Sequence, residues 1–282
     1  MIQIIKNIII ILVAVILLDK IFVYLFTEIV FKKTISGESG GTINYVINKK
    51  KKLDVLVIGP SRAKHGIDPK VLTSLGDDGY NLGINGTTIL NSSLILDILI
   101  KNNVKIKTLV VATDLSDYAS SSKEMTLDQI KRLYPYDTPL VREYVKSIGF
   151  VEQAKYFFDT YKFNRKILNI TFNFLKKDSI LDGSGYVGLP NTKYKPGVNY
   201  SSINYTYDHN SVNAESMRRI KKICDENGIK LIVVFSPSYN NVFFDKNKLF
   251  MRQYYHIFSK RLPDSIFRTQ FFGIPNFPDN KS

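Results

Sequence analysis

The apolar positions of this chain follow two rhythms, an unbroken run at the start and short runs separated by helical spacing afterwards. Ile8–Leu18 is uniformly aliphatic, and Ile4, Ile5 and Ile21–Phe26 extend it to the roughly 20 residues that cross the hydrocarbon core of a bilayer. Core helices carry an apolar stripe rather than an unbroken run, so a membrane span is favoured over a buried helix. Asp19 and Lys20 sit near one end, where Lys20 can extend toward the headgroups. No small-residue cleavage site follows, so the segment reads as an uncleaved signal anchor rather than a removed signal peptide. Lys6 precedes the span, and Lys32 and Lys33 follow it, so counting positive charges does not orient it. The short N-terminal tail favours N-inside, with the remainder extracytoplasmic.

After the anchor (residues 1–33), Ser36–Thr42 is polar and glycine-rich, and residues 34–52 read as a linker. Residues 53–282 then alternate strand and helix. Leu53–Ile58, Gly79–Leu82, Thr108–Ala112 and Lys230–Phe235 are short apolar runs of the kind that form strands buried on both faces. Helical spacing covers Ala63–Leu75, with Asp68–Pro69 capping or interrupting it. It returns at Ile89–Asn102, with Leu94, Ile95, Ile98 and Leu99 on one face, and at Ala214–Glu226, stopped by Asn227–Gly228. Lys246–Arg261 reads as helix and Ser265–Phe271 as extended. The rhythm breaks at about residues 120–210, where Lys123–Ile180 is helical and aromatic-rich and Asp182–Pro190 is a loop; this reads as an insertion or cap. The pattern predicts an α/β fold, a parallel sheet with helices on both faces.

Composition narrows the partners. A 44% hydrophobic share supplies a core. The formal charge of +14 invites nucleic acid, anionic lipid or anionic polysaccharide. Only Lys49–Lys52 form a basic run, however, and no helix shows a continuous Arg/Lys face, so no nucleic acid is expected. Cys224 is the single cysteine, which excludes an intrachain disulfide; it reads as a small buried hydrophobe. No metal is expected without Cys/His ligand spacing, and no cofactor, since Gly83 and Gly86 form only an isolated GxxG. The 17 Tyr and 18 Phe belong mostly to the core, with a sugar-stacking groove as the other use.

Chemistry in an open parallel sheet gathers beyond the carboxyl ends of its strands, here at Gly59–Arg62, Asn81–Thr87, Ala112–Asp117 and Ser236–Asn240. Ser61 stands at the turn from the first strand into its helix, either as a nucleophile or as a plain N-cap. Arg62 is available to a carboxylate at the sheet edge or to an anionic substrate group.

Asp54–Leu72 (DVLVIGPSRAKHGIDPKVL) resembles the first block of the SGNH, or GDSL-type, hydrolases, and Tyr80–Ile89 (YNLGINGTTI) resembles their second. Lys107–Asp114 and Lys221–Pro237 fall where the third block and the last helix–strand unit lie. The pattern is most similar to membrane-anchored members of bacterial envelopes, some of which handle O-acyl groups on cell-surface polysaccharide. The resemblance implies a flavodoxin-like parallel sheet (the SGNH hydrolase fold) and an esterase or O-acyltransferase acting on envelope carbohydrate. It implies Ser61 as nucleophile, with its own amide and that of Gly86 as oxyanion donors. Asp114 matches the family's third donor, an asparagine. An ionised carboxylate cannot donate, so the role requires either a protonated Asp114 or a substitute such as Asn85. His65 and Asn85 then join Arg62 as substrate-binding candidates. The family's base comes from an Asp-x-x-His block, which does not occur downstream of Ser236. Of the three histidines, His65 reads as a pocket-wall residue, His209 lies at the end of the insertion, and His256 is in a helical stretch. Serine without a base is a poor nucleophile, so this 282-residue form is expected to be inactive or incomplete. The rival expectation is a non-catalytic binding or scaffold protein that retains the pocket.

Overall fold

The chain is described by a computed structural model covering residues 2–72, 75–118, 127–163, 166–176, 183–189, 208 and 210–235. Among these residues, the apolar runs form one parallel sheet of four strands: β1 (Lys52–Ile58), β2 (Gly79–Asn81), β3 (Lys105–Thr113) and β4 (Lys230–Phe235). Their order is β2-β1-β3-β4, with Val57 opposite Asn81, Ile58 opposite Val111 and Thr113 opposite Phe235. Val55 to Ile58 are fully buried because both faces of β1 are covered. One face (Leu56, Ile58, Leu109, Val111) shares its core with α4 (Ile89–Lys101) and α10 (Val212–Asn227). The other (Val55, Val57, Val110, Ala112) packs on Ala63 of α3 (Ser61–Gly66) and on Ile67, Leu72 and Leu75.

Local signals explain several boundaries. Ser211 caps α10 by accepting from the Ala214 amide at 3.2 Å, and Gly228 at φ 65° ends it. Cys224 is buried on the inner face of that helix, which pushes its thiol up to about 12. The helix predicted over Ala63–Leu75 stops at Gly66. Asp68 instead caps a separate 3₁₀ turn at Pro69–Val71, accepting from the Lys70 amide at 3.0 Å.

One expectation is corrected. Within the supposed linker at residues 34–52, Gly41–Lys49 forms a helix, α2, whose Ile43, Tyr45 and Val46 are buried in the main core. The insertion is helical, as expected, and among the described residues it forms five short helices: α5 (Leu127–Lys131), α6 (Pro139–Ile148), α7 (Phe150–Tyr156), α8 (Asp159–Lys162) and α9 (Ile167–Lys176). Thr138 and Pro139 start α6, and Gly149 at φ 128° separates it from α7. Ile130, Tyr134, Val141, Val145 and Tyr156 turn inward to the same core as α4. Glu152 is buried there and accepts from the hydroxyls of Tyr134 (3.0 Å) and Tyr161 (3.1 Å), which pair its carboxylate by hydrogen bonding.

At the N-terminus, α1 (Ile2–Ile29) is long and apolar enough to cross a membrane. Only Val23 and Phe26 of it are buried, against Phe31, Phe163 and Ile170. Asp19 accepts from the amides of Asp159 (2.7 Å) and Thr160 (3.1 Å), and Lys20 pairs with Asp159 at 3.1 Å. The helix expected over Lys246–Arg261 and the extended stretch Ser265–Phe271 lie outside the described residues, as do His209 and His256.

Candidate functional site

The strand order reverses direction between β1 and β3, so a crevice opens at the carboxyl ends of these two strands. Gly59 makes the turn out of β1 at φ 145°, and its backbone lies so close to β3 that a Cβ there would stand 2.5 Å from the Ala112 carbonyl oxygen. Pro60 takes the N-cap position, with no side-chain capping bond, and Ser61 is the first residue of α3. Ser61 is exposed, and among the described residues its hydroxyl has no hydrogen-bond partner. The plain N-cap reading of Ser61 is therefore set aside.

Arg62 follows on the same short helix and pairs across the crevice with Asp114, the first residue after β3. Asp114 thus accepts from a guanidinium, and does not supply the third oxyanion donor. Its amide donates to Asp117 Oδ2 at 2.9 Å, and the Thr113 hydroxyl lies 3.0 Å from the same oxygen. Arg62 is half exposed, while Asp114 is mostly covered, so this bridge serves structure more than capture of a free anion.

The loop after β2 is drawn onto the same rim. The Leu82 amide donates to Val57 O at 2.8 Å and the Ile84 amide to Gly59 O at 3.0 Å. Asn85 and Gly86 follow, both exposed, with Gly86 at φ 70° and its carbonyl accepting from Gln129 of α5. His65 projects from α3 between two acceptors. Its Nδ1 is 2.7 Å from Val187 O and so carries a hydrogen, while Nε2 is 3.0 Å from Asn85 Oδ1. Both nitrogens are occupied by contacts other than Ser61. His65 is a wall of the site, as its helical position implies, and in this arrangement it is not the base. Asn85 meets His65 through its Oδ1, and its Nδ2, the atom able to donate, is not part of that contact.

Sequence reasoning missed two residues. Asn81 is buried at the end of β2. Its Nδ2 donates to Ala63 O and Ile67 O, both at 2.7 Å, and its Oδ1 accepts from the Gly83 amide at 2.7 Å. One amide side chain thus fastens the end of α3 to the loop carrying Gly86. Its signal was faint: a polar residue where an apolar strand run ends. Along the outer edge, residues 183–189 form a strap, with the Asn81 amide donating to Ser184 O at 2.7 Å and the Val187 amide to Lys64 O at 3.2 Å. A pocket of about 80 Å³ lies beside this strap, lined by Glu38, Thr42, Lys64, Leu82, Ile84 and Gly185. That holds a few waters, not an acylated sugar, and Ser61 does not line it.

Asp117 is the second. Burial pushes its carboxyl up to about 6, against the lowering influence of the Thr113 hydroxyl and the Arg62 charge. A carboxyl with a raised folded pKa stabilises fully below its unfolded value and loses that contribution as pH climbs through the folded one. Thermal unfolding is therefore expected to contain a component that weakens from about pH 4 to about pH 6. Asp117→Asn keeps an acceptor for the Asp114 amide and should remove that component. A difference between wild type and variant that does not change with pH would contradict this assignment.

Among the described residues, no three His, Cys, Asp or Glu side chains gather as a metal site would require. Set against family models, curated proteins and solved structures, the chain matches none of them.

Proposed function

We propose that the chain is a membrane-anchored, SGNH-like protein whose Ser61 is the nucleophile toward acyl groups of cell-envelope carbohydrate, as an ester hydrolase or O-acyltransferase. The observation that carries this reading is the exposed Ser61 hydroxyl, without a hydrogen-bond partner among the described residues, at the carboxyl end of β1, where the sheet order reverses. The order β2-β1-β3-β4 is that of a flavodoxin-like sheet, which the SGNH fold shares. Ser61 Oγ attacks the acyl carbonyl, its proton passes to a base, and the sugar oxygen leaves with a proton. Water or a second sugar hydroxyl then takes the acyl group from Ser61. The amides of Ser61 and Gly86 are the oxyanion donors, and the Arg62–Asp114 bridge holds the two strand ends in register beneath them. With α1 as the anchor, the site lies on the extracytoplasmic face.

One observation favours a second reading, a pseudo-hydrolase that binds acylated glycan without turning it over. His65 is engaged at both nitrogens, and Asp114 replaces the donor asparagine. Aryl-acetate turnover by the 282-residue chain separates the two. The described residues supply no base, so turnover at Ser61 needs one from elsewhere in the chain, and equal rates for wild type and Ser61→Ala would support the binding reading instead. A burst of product lost in Ser61→Ala establishes the enzyme, with its base drawn from residues outside the described set.

A further inference from the structure

The insertion turns an unusual amount of apolar surface outward, and that surface starts where α1 meets it. On α7 and just after it, Phe150 and Phe157 lie seven residues apart on one face, 82% and 54% exposed, with Phe158 beside them. On α9, Leu168, Phe172 and Leu175 form a second stripe at helical spacing, each more than 60% exposed. Other residues of the same helices, Tyr156 and Ile170, are buried, so the exposed stripes are a second face and not a core awaiting its partner.

The length of α1 says what covers them. Hydrocarbon about 30 Å thick takes about 20 helical residues. A span starting anywhere from Ile2 to Ile8 therefore ends between Ile21 and Thr27, beyond Asp19 and Lys20. Those two charges are tolerated there because the insertion satisfies them. Asp19 accepts from the Asp159 and Thr160 amides. Lys20 donates to Phe157 O at 2.7 Å and sits 4.8 Å from the centre of the Phe157 ring. The turn held by this pair is thereby fixed at the depth where the acyl chains end. Val23 and Phe26, about one and two turns further along, are the residues against which Phe163 and Ile170 pack, which brings α9 alongside the end of the span. Residues 139–176 carry seven Lys or Arg against three Asp or Glu, a balance that suits anionic headgroups.

We infer that the insertion is a second membrane contact: α7 and α9 rest in the interface of an anionic bilayer, with Phe157, Phe158, Leu168, Phe172 and Leu175 in its acyl boundary. The sheet domain is then held against the surface in one orientation instead of swinging on a single helix. The inference rests on α1 being the anchor.

The chain has no tryptophan, so single substitutions give clean probes. Phe157→Trp and Phe172→Trp change exposed rings. Val13→Trp reports the anchor, and Lys222→Trp on α10 is a reference for solvent. Full-length variants are reconstituted in phosphatidylcholine–phosphatidylglycerol vesicles containing lipids brominated along the acyl chain. Phe157→Trp and Phe172→Trp are expected to show blue-shifted emission, quenched to at least about half the extent of Val13→Trp, as befits rings roughly 5–10 Å into the headgroup–acyl boundary. If Val13→Trp is quenched while both ring probes behave like Lys222→Trp, the inference is overturned and the anchor stands. If Val13→Trp also escapes quenching, the anchor reading falls and this one falls with it.

Discussion

Asn81→Asp is expected to destabilise the domain by about 4 kcal/mol at neutral pH, roughly twice the effect of Asn81→Ala. The side chain is buried, and its Nδ2 faces the Ala63 and Ile67 carbonyls at 2.7 Å. A carboxylate placed there meets two acceptors with no donor to offer. Truncation to alanine removes the bonds and leaves partly unpaired carbonyls. The carboxylate adds an uncompensated charge. The sign with pH follows from the same geometry. A carboxyl that prefers its protonated form in the fold costs less at low pH, where its hydroxyl can donate to one carbonyl. Thermal unfolding of the full chain in detergent micelles measures both effects. The expected fall in Tm at pH 7 is on the order of 10 °C for a domain of this size, and it should shrink as pH is lowered toward 4. Equal Tm values for Asn81→Asp and Asn81→Ala would show that Asn81 does not fasten α3 to the β2 loop.

That the most consequential polar residue of the site escaped sequence reading has a physical explanation. Strand cores announce themselves because burial on both faces demands unbroken apolar runs, as in Val55–Ile58 and Leu109–Ala112. The end of α10 is equally legible, since Gly228 solves a local backbone problem with a residue type that does little else as well. Asn81 solves a largely non-local one, joining residues 63 and 67 to residue 83, and nothing within a few positions of it marks the two distant partners. Composition misled in a related way at residues 34–52. Glycines there read as flexibility, but a Cβ at Gly41 would stand 1.8 Å from the Ser36 carbonyl, so this glycine is required by close packing. The insertion was legible as helical, but its breaks at Asp137 and Gly149 are backbone turns that the apolar pattern does not announce. Ser61 and Arg62 were legible as a pair of chemical groups after a strand. Their different fates, one without a hydrogen-bond partner among the described residues and one tied to Asp114, depend on β3, more than forty residues away.

The turn at Gly59 is where fold and candidate chemistry depend on the same atoms, and Gly59→Ala should expose that dependence. Two separable effects add. At φ 145° any side chain strains the backbone, typically by about 1–3 kcal/mol. The new methyl would also stand 2.5 Å from the Ala112 carbonyl oxygen, 3.0 Å from the Ala63 Cβ and 3.2 Å from the Ala112 Cβ. None of these neighbours is the end of a flexible chain. Ala112 lies within β3, paired to β1 and β4 on either side, and Ala63 is buried on α3. Relief therefore requires β1 and β3 to separate at the end that carries Ser61 and Arg62, and the total expected loss is about 4 kcal/mol or more. Gly149→Ala separates the two contributions, because Gly149 has a comparable φ of 128° and a methyl added there would find no atom within 4 Å. It should lose only the backbone part. Parallel unfolding curves for the two variants test this. If they are equally destabilised, the close approach of Gly59 to β3 is not what shapes the turn, and the placement of Ser61 at the mouth of the crevice loses its structural cause.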